Sequence, residues 1–230
     1  GVRQVVLDNT YLTRAARSYV VDAAGRHGVA VRCVWLDTPL AQAQVNLVER
    51  LLERFGALPA PEELREAAKG EQGLMLPTSQ MRTQRELEPP SEDEGLAVEQ
   101  VAFERAPWPG TREAVFVAAG AAWEGAVERS DGPHLLFDWR PDVGAAVLAD
   151  DVARLAARVG GPVEGAVCPH PGGPPTCWCR PPLPGLPLAF ARRHGVDPAR
   201  SLVVGSSPAH RTLATTLGAR FVGTDARGNG

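Results

Sequence analysis

Short apolar runs alternate along this chain with stretches of helical period, and that alternation constrains the fold more than any other feature. The opening Gly-Val-Arg-Gln-Val-Val-Leu-Asp, residues 1–8, reads as a buried strand ending on a carboxylate. Residues 13–27 follow with helical spacing, Thr13 serving as the N-cap and Gly25 or Gly28 as the stop. A second apolar strand covers 29–36, and Pro39 opens a helix to about Phe55 with Leu40, Ala43, Leu47, Leu51 and Leu52 on its apolar side. Strands are then predicted at 97–103, 113–117, 134–137, 162–167, 201–204 and 220–222. Helices are predicted at 150–159, 185–194 and from 207 or 208 to 217. Strands and helices alternating at this spacing specify an α/β fold with parallel sheets, because parallel neighbours need a crossover long enough to hold a helix.

Composition narrows the function classes. The chain has 230 residues with 24 basic against 27 acidic side chains, a net charge of −3 and no basic tail. That balance excludes a mainly electrostatic nucleic-acid binder and leaves room for a local groove. No run approaches a membrane span, and the N-terminus has no charged-then-apolar signal pattern, so a cytoplasmic protein with no membrane partner is expected. Lys69 is the only lysine, which leaves lysine-dependent chemistry almost no source. Residues 57–73 are Pro-, Glu- and Gly-rich and read as a mobile lid or loop. The acidic stretch 86–95 reads as a turn with most of its carboxylates in solvent. Arg105-Ala-Pro-Trp-Pro-Gly110 is the clearest linker, which gives domains at 1–104 and 112–230 joined by 105–111.

Three of the four cysteines fall within a dozen residues, as Cys168-Pro-His170 and Cys177-Trp-Cys179. Three thiolates and one imidazole suit tetrahedral zinc, and with all four positions supplied by protein the site is closed and structural. The loop between them, Pro171-Gly-Gly-Pro-Pro-Thr176, has almost nothing with which to pack a core, so ligand bonds would have to fix it. The remaining thiol, Cys33, reads as a small core residue of the 29–36 strand.

The segment Cys168-Pro-His170 … Cys177-Trp-Cys179-Arg180-Pro181, followed by Gly195-Val-Asp-Pro-Ala-Arg-Ser-Leu-Val-Val-Gly205-Ser-Ser-Pro208, resembles the zinc-bearing haloacid dehalogenase-like phosphatases. Histidinol-phosphate and heptose-bisphosphate phosphatases form that subgroup. The likeness covers roughly 112–222 and implies a Rossmann-like sheet. It also implies two aspartates after the first strand, as nucleophile and acid/base for acyl-phosphate chemistry. A phosphate-binding Ser or Thr follows the second strand in that family, a lysine follows the zinc loop, and aspartates hold magnesium after the last long strand. The matching positions here are Ala118 and Gly120, Asp138-Trp139, Pro181, and Ser206 with His210. With every such group replaced, the expectation is a phosphatase-like scaffold without phosphatase activity.

Upstream, Val5-Val-Leu-Asp8-Asn-Thr10, the helix bearing Arg14 and Arg17, and Gly28-Val-Ala-Val-Arg-Cys-Val-Trp-Leu36 resemble the second half of a P-loop polynucleotide kinase domain. Gln42-Ala-Gln-Val-Asn46 matches that family's lid helix and 84–95 its closing turn, so the likeness covers about 3–103. Kinase-like then phosphatase-like halves resemble the bifunctional polynucleotide kinase–phosphatases. The resemblance implies a full-length kinase that uses ATP and Mg2+ on the 5′-hydroxyl of nucleic-acid ends. It implies substrate or nucleotide contacts from Asp8, Asn9, Thr10, Arg14, Arg17, Arg50 and Arg85, with Arg50 substituting for a lid arginine whose place is taken by Val48. No Gly-x-x-x-x-Gly-Lys-Ser/Thr loop occurs in these residues, and the expectation is that it precedes residue 1 in a longer protein. Read without the resemblance, Asp8-Asn9-Thr10 is equally a strand-to-helix cap and the Arg14/Arg17 pair a solvated helix face. Two alternatives stay open: a non-enzymatic zinc-stabilised pseudophosphatase interaction module, and a P-loop kinase of a small molecule.

Overall fold

The computed structural model describes residues 4–227 and confirms an α/β protein with parallel sheets. Contacts gather the chain into two compact units, Gly1–Pro39 with Ser79–Glu104, and Leu40–Thr78 with Arg105–Gly230. Where the sequence suggests a linear division at 105–111, the structure therefore groups 40–78 with the residues after 104.

In the first unit, helix α1 (Arg14–Arg26) starts where Thr13 Oγ1 accepts from the backbone N–H of Ala16 at 3.1 Å. It stops at His27, after which Gly28 takes a left-handed φ of 65° that a side chain would oppose. Strand β1 (Arg32–Asp37) lies parallel to a second strand, β2 (Ala97–Ala102), in the register Arg32↔Ala97 to Asp37↔Ala102. The expected opening strand is not formed over residues 4–8, where Val5, Val6 and Leu7 are exposed; residues 1–3 lie outside the described residues. A strand exists only through a neighbour's hydrogen-bond ladder, and neither β1 nor β2 pairs with this segment.

The acidic turn is less solvated than its composition suggests. Asp93 is exposed and pairs with Arg14 at 2.8 Å, but Glu94 is buried with Arg17 on α1, both side chains under a tenth exposed. The contact is bidentate, Arg17 Nε and Nη2 each donating to one Glu94 oxygen at 2.7 Å. The third nitrogen, Nη1, donates to the carbonyls of Tyr11 and Glu88 at 3.0 and 2.9 Å. A buried carboxylate persists here because a planar cation saturates it.

The second unit is built on a five-stranded parallel sheet in the order β5-β4-β3-β6-β7. Its strands are β3 (Val115–Ala118), β4 (His134–Trp139), β5 (Val163–Cys168), β6 (Leu202–Gly205) and β7 (Arg220–Gly223). The crossovers carry α5 (Ala149–Ala156), α6 (Gly185–His194) and α7 (Pro208–Leu217), α7 being capped by Ser207. Val117, Trp123, Leu136, Leu148, Leu155 and Val204 form the core around β3. The strand order reverses at β3, and in open α/β sheets such a reversal leaves a crevice at the carboxyl ends of the central strands.

Helix α2 (Leu40–Phe55) joins this unit because its buried side chains Val45, Leu47, Val48, Leu51 and Leu52 form one apolar face, and it packs on α6 and α7. The 105–111 segment is tied to it: Arg105 donates to Gln42 and to Asn46 at 2.6 Å and pairs with Glu49 at 3.1 Å. The predicted loop at 57–73 instead contains helix α3 (Pro61–Gly70). Pro61, legible as a breaker, occupies the first helical turn where no N–H is needed, Glu62 and Glu63 face the positive helix end, and Leu64 is buried. A further helix, α4 (Pro77–Glu86), completes the described elements. Among the described residues no helix is long and apolar enough to cross a membrane.

The Arg17–Glu94 pair sets a pH dependence. The Arg17 guanidinium, by its hydrogen bonds, holds the Glu94 carboxyl below its ordinary 4.5. Its contribution to stability is complete above that ordinary value and is lost as pH falls through the depressed one. Glu94→Gln is expected to lower the melting temperature at neutral pH and to flatten its acid-range decline. Superimposable melting profiles of the two proteins between neutral and acid pH would contradict this role.

Candidate functional site

The metal cluster is assembled by one strand end and one loop. Strand β5 ends at Cys168, the chain leaves the sheet through Pro169 to His170, and it returns with Cys177 and Cys179 just before α6. The four ligand atoms lie within 4.8 Å of one another. Cys168 Sγ is 3.6 Å from both Cys177 Sγ and His170 Nδ1, and Cys179 Sγ is 3.1 Å from Cys168 Sγ and 3.2 Å from His170 Nδ1. A tetrahedral ion with ~2.3 Å bonds to sulfur has ligand–ligand edges of about 3.8 Å, so pairs of these ligand atoms need change their separation by about 1 Å at most to hold one. All three sulfurs are buried, with Leu58 and Leu186 packed against them.

Hydrogen bonds from Cys168 and Cys179 hold the Cys177 thiol pKa well down, the contact with Cys177 pushes that of Cys168 up, and the contact with Cys168 pushes that of Cys179 up. A divalent cation coordinated by these sulfurs would displace the thiol protons that remain. The loop is braced from outside: Trp139 Nε1 donates to the His170 carbonyl at 2.8 Å, and the Arg180 guanidinium lies 5.1 Å from the Trp139 ring centroid. Arg180 also donates to the carbonyls of Pro171 and Gly173 at 3.2 and 2.6 Å. The Cys3His cluster could thus hold a metal ion such as zinc. Cys33 lies apart from it, a half-buried free thiol on β1.

At the carboxyl ends of β3, β4 and β6 the side chains are small or already have partners. Ala118 and Ala119 are buried, Ala119 N–H donates to the Phe137 carbonyl, and Gly120 forms the exposed turn. Asp138, at the end of β4, accepts from Arg140 at 2.7 Å and from the Trp139 N–H at 2.8 Å. His210, in the first turns of α7, is half-buried. It stands edge-on to Phe137 with its Nδ1 accepting from the Ser206 N–H at 3.2 Å, and burial pushes its imidazole pKa down against the upward pull of Asp138. Ser206 and Ser207 complete the wall, Ser207 capping α7.

The first unit distributes its candidate residues unevenly. Asp8, Asn9 and Thr10 are exposed, and Asn9 Oδ1 accepts from the Thr10 N–H at 2.7 Å. Asn9 and Thr10 line an open cavity of about 440 Å3 together with Tyr11 and Tyr19, the only two tyrosines of the chain. Tyr11 takes a φ of 35°, an uncommon conformation for a bulky side chain. Sequence reasoning passed over both tyrosines, although their confinement to residues 11–19 was there to be read. Arg14 pairs with Asp93, and Arg17 is turned inward on Glu94 rather than presented to a ligand. Arg85 donates to the Met81 carbonyl at 3.2 Å, while Arg50, on α2 of the second unit, is spent on the Gly73 carbonyl at 2.6 Å.

Comparison with known proteins agrees with a two-part chain. Residues 1–72 match the AAA domain family, which belongs to the P-loop kinase-like class. A D-glycero-beta-D-manno-heptose-1,7-bisphosphate 7-phosphatase of Bordetella bronchiseptica is 35% identical over 102 residues, which cover 43% of this chain and 55% of that protein. The chain thus spans about half the length of that curated relative. No solved structure matches it. Together these findings support a kinase–phosphatase-like architecture.

One metal ion per chain is expected by elemental analysis of the purified protein. Cys177→Ser should reduce that content and lower the melting temperature by on the order of 5 °C or more. A metal-free wild type of equal stability would show that the cluster works as four buried thiol and imidazole groups.

Proposed function

We propose that this is a kinase–phosphatase-type chain whose phosphatase-like unit carries a structural zinc and no longer hydrolyses phosphate esters, and whose kinase-like part serves the 5′-hydroxyl ends of nucleic acid. The single observation behind the first half is the crevice at β3. Acyl-phosphate formation needs a carboxylate nucleophile over the end of that strand, and Ala118 and Gly120 carry none. The one carboxylate at the end of β4, Asp138, is already paired with Arg140. Pro181 supplies no charge, and Ser206 and His210 are poor ligands for a hard cation. Groups that act as a unit lose most of the rate when one is removed, so the loss of all of them leaves essentially none.

Zinc is the reading that the donor set favours, since thiolate-rich tetrahedral sites select it over oxygen-seeking cations. Bound there, it would contribute folding energy and no Lewis-acid chemistry, because no coordination position is left open. The second half of the proposal draws on the Asn9–Tyr19 cavity. Two phenol rings beside an amide and a hydroxyl suit the stacking and polar edges of a nucleoside better than a bare phosphate. Transfer of a γ-phosphate from ATP with Mg2+ needs a phosphate cradle, and these 230 residues contain no Gly-x-x-x-x-Gly-Lys-Ser/Thr loop to form one. The uncovered apolar residues Val34, Leu36 and Val101, adjacent on the β1–β2 pair, favour a second reading as an interaction module.

The 230-residue chain is expected to release no phosphate from 3′-phosphorylated oligonucleotides, histidinol phosphate or an aryl phosphate in the presence of magnesium. Ala118→Asp with Gly120→Asp should not restore turnover, since the lysine and metal positions stay empty of charge. Phosphatase activity abolished by Asp138→Asn would mean that the active site has moved along β4.

For the kinase-like part, no ATP turnover is expected from these residues alone. Weak binding of a 5′-hydroxyl single-stranded oligonucleotide, reduced about tenfold by Tyr19→Ala, is expected. Binding unchanged in that variant would remove the cavity from the reading.

A further inference from the structure

The match to the AAA domain family extends to residue 72, yet α2 and α3 fold within the phosphatase-like unit. What holds them differs along their length. Helix α2 rests on α6 and α7 through its own apolar face. The segment carrying α3 meets the metal cluster at both ends instead. Before α3, Leu58 packs against the sulfurs of Cys168, Cys177 and Cys179. After α3, the Met75 carbonyl accepts from Nε1 of Trp178, the buried residue between two of the ligands, at 3.1 Å. Between these points Leu64 and Leu74 are buried, and the segment's polar ties to α2 are exposed ones, the Arg54–Glu71 pair at 2.9 Å and the Arg50 bond to Gly73. Exposed pairs of this kind contribute little to stability, so beside the burial of Leu64 and Leu74 the two contacts with the clasp are what hold the two ends of the segment.

We propose that the Cys168/His170/Cys177/Cys179 clasp anchors both ends of the 57–76 segment, so that metal occupancy sets how firmly the segment carrying α3 is held to the phosphatase-like unit. The inference rests on the metal reading given above and extends it. A unit without hydrolytic groups would then have a role toward the residues that the AAA match covers: positioning them. The physical reason is local. Trp178 can aim its indole N–H at Met75, and the sulfurs can offer Leu58 a closed surface, only while the residues on either side of Trp178 are pinned. The loop 171–176 has only Pro, Gly and Thr with which to pin them.

Hydrogen exchange of the whole chain, read by mass spectrometry alongside metal analysis, tests this. Removing the metal with a chelator should speed exchange over 57–76 by on the order of tenfold or more while β3 and β6 keep their protection. Leu58→Ala should loosen the same segment with metal content unchanged and residues 168–180 still protected. A metal-bearing protein in which 57–76 exchanges alike with and without chelator overturns the proposal and leaves the metal reading standing. Should chelation open the sheet as well, unchanged exchange of 57–76 in Leu58→Ala overturns it. A chain that binds no metal overturns both.

Discussion

Between His170 and Cys177 the chain has Pro, Gly and Thr where a core would need Leu or Phe, yet Cys168, Cys177, Trp178 and Cys179 around it are buried. That contradiction is resolved by one interaction, the convergence of three sulfurs and an imidazole at the end of β5. Ligand bonds can organise a segment that hydrophobic contact cannot, because a few strong directional contacts replace many weak ones. The Trp139–Arg180 brace, the entry into α6 and the seat of Leu58 all follow from that convergence. Gly185 shows how tight the arrangement is: an added Cβ would strike the Trp178 carbonyl.

The same unit has the sheet reversal that opens a crevice in α/β proteins, and that crevice is framed by the backbone. A parallel sheet whose order reverses at β3 places strand ends, loops and the start of α7 around one point whatever side chains are there. Here those side chains neutralise or fill the space. Ala118 and Ala119 are sealed, Asp138 is held by Arg140, and His210 sits edge-on to Phe137. The scaffold persists because β3 is stabilised by its two neighbours and by the core around Val117, Trp123 and Leu136, none of which depends on a catalytic group.

A sequence family and a folding unit are different things, and residues 40–72 show it. They belong to the AAA match by pattern and to the second unit by contact. Helix α2 has a continuous apolar face, and such a face goes wherever complementary surface is available; α6 and α7 offer it.

Much of this was legible from residue order alone. Period and caps located α1, α2 and α7 and the strands of the second sheet, since local preference and burial pattern there agree. The spacing of Cys168, His170, Cys177 and Cys179 announced a cluster, because ligands close in sequence need little help to meet in space. What sequence could not decide is whatever depends on a partner distant in the chain. Val5–Leu7 has the composition of a strand and remains without a ladder, because no neighbour pairs with it among the described residues. Arg17 looks like a phosphate ligand and is consumed by Glu94, 77 residues away. Pro61 reads as a breaker until Leu64 is buried behind it. Residue types and spacing determined the elements and the metal donors. Tertiary structure alone decided which charges were left free, because a charge is neutralised only by what the fold brings within reach.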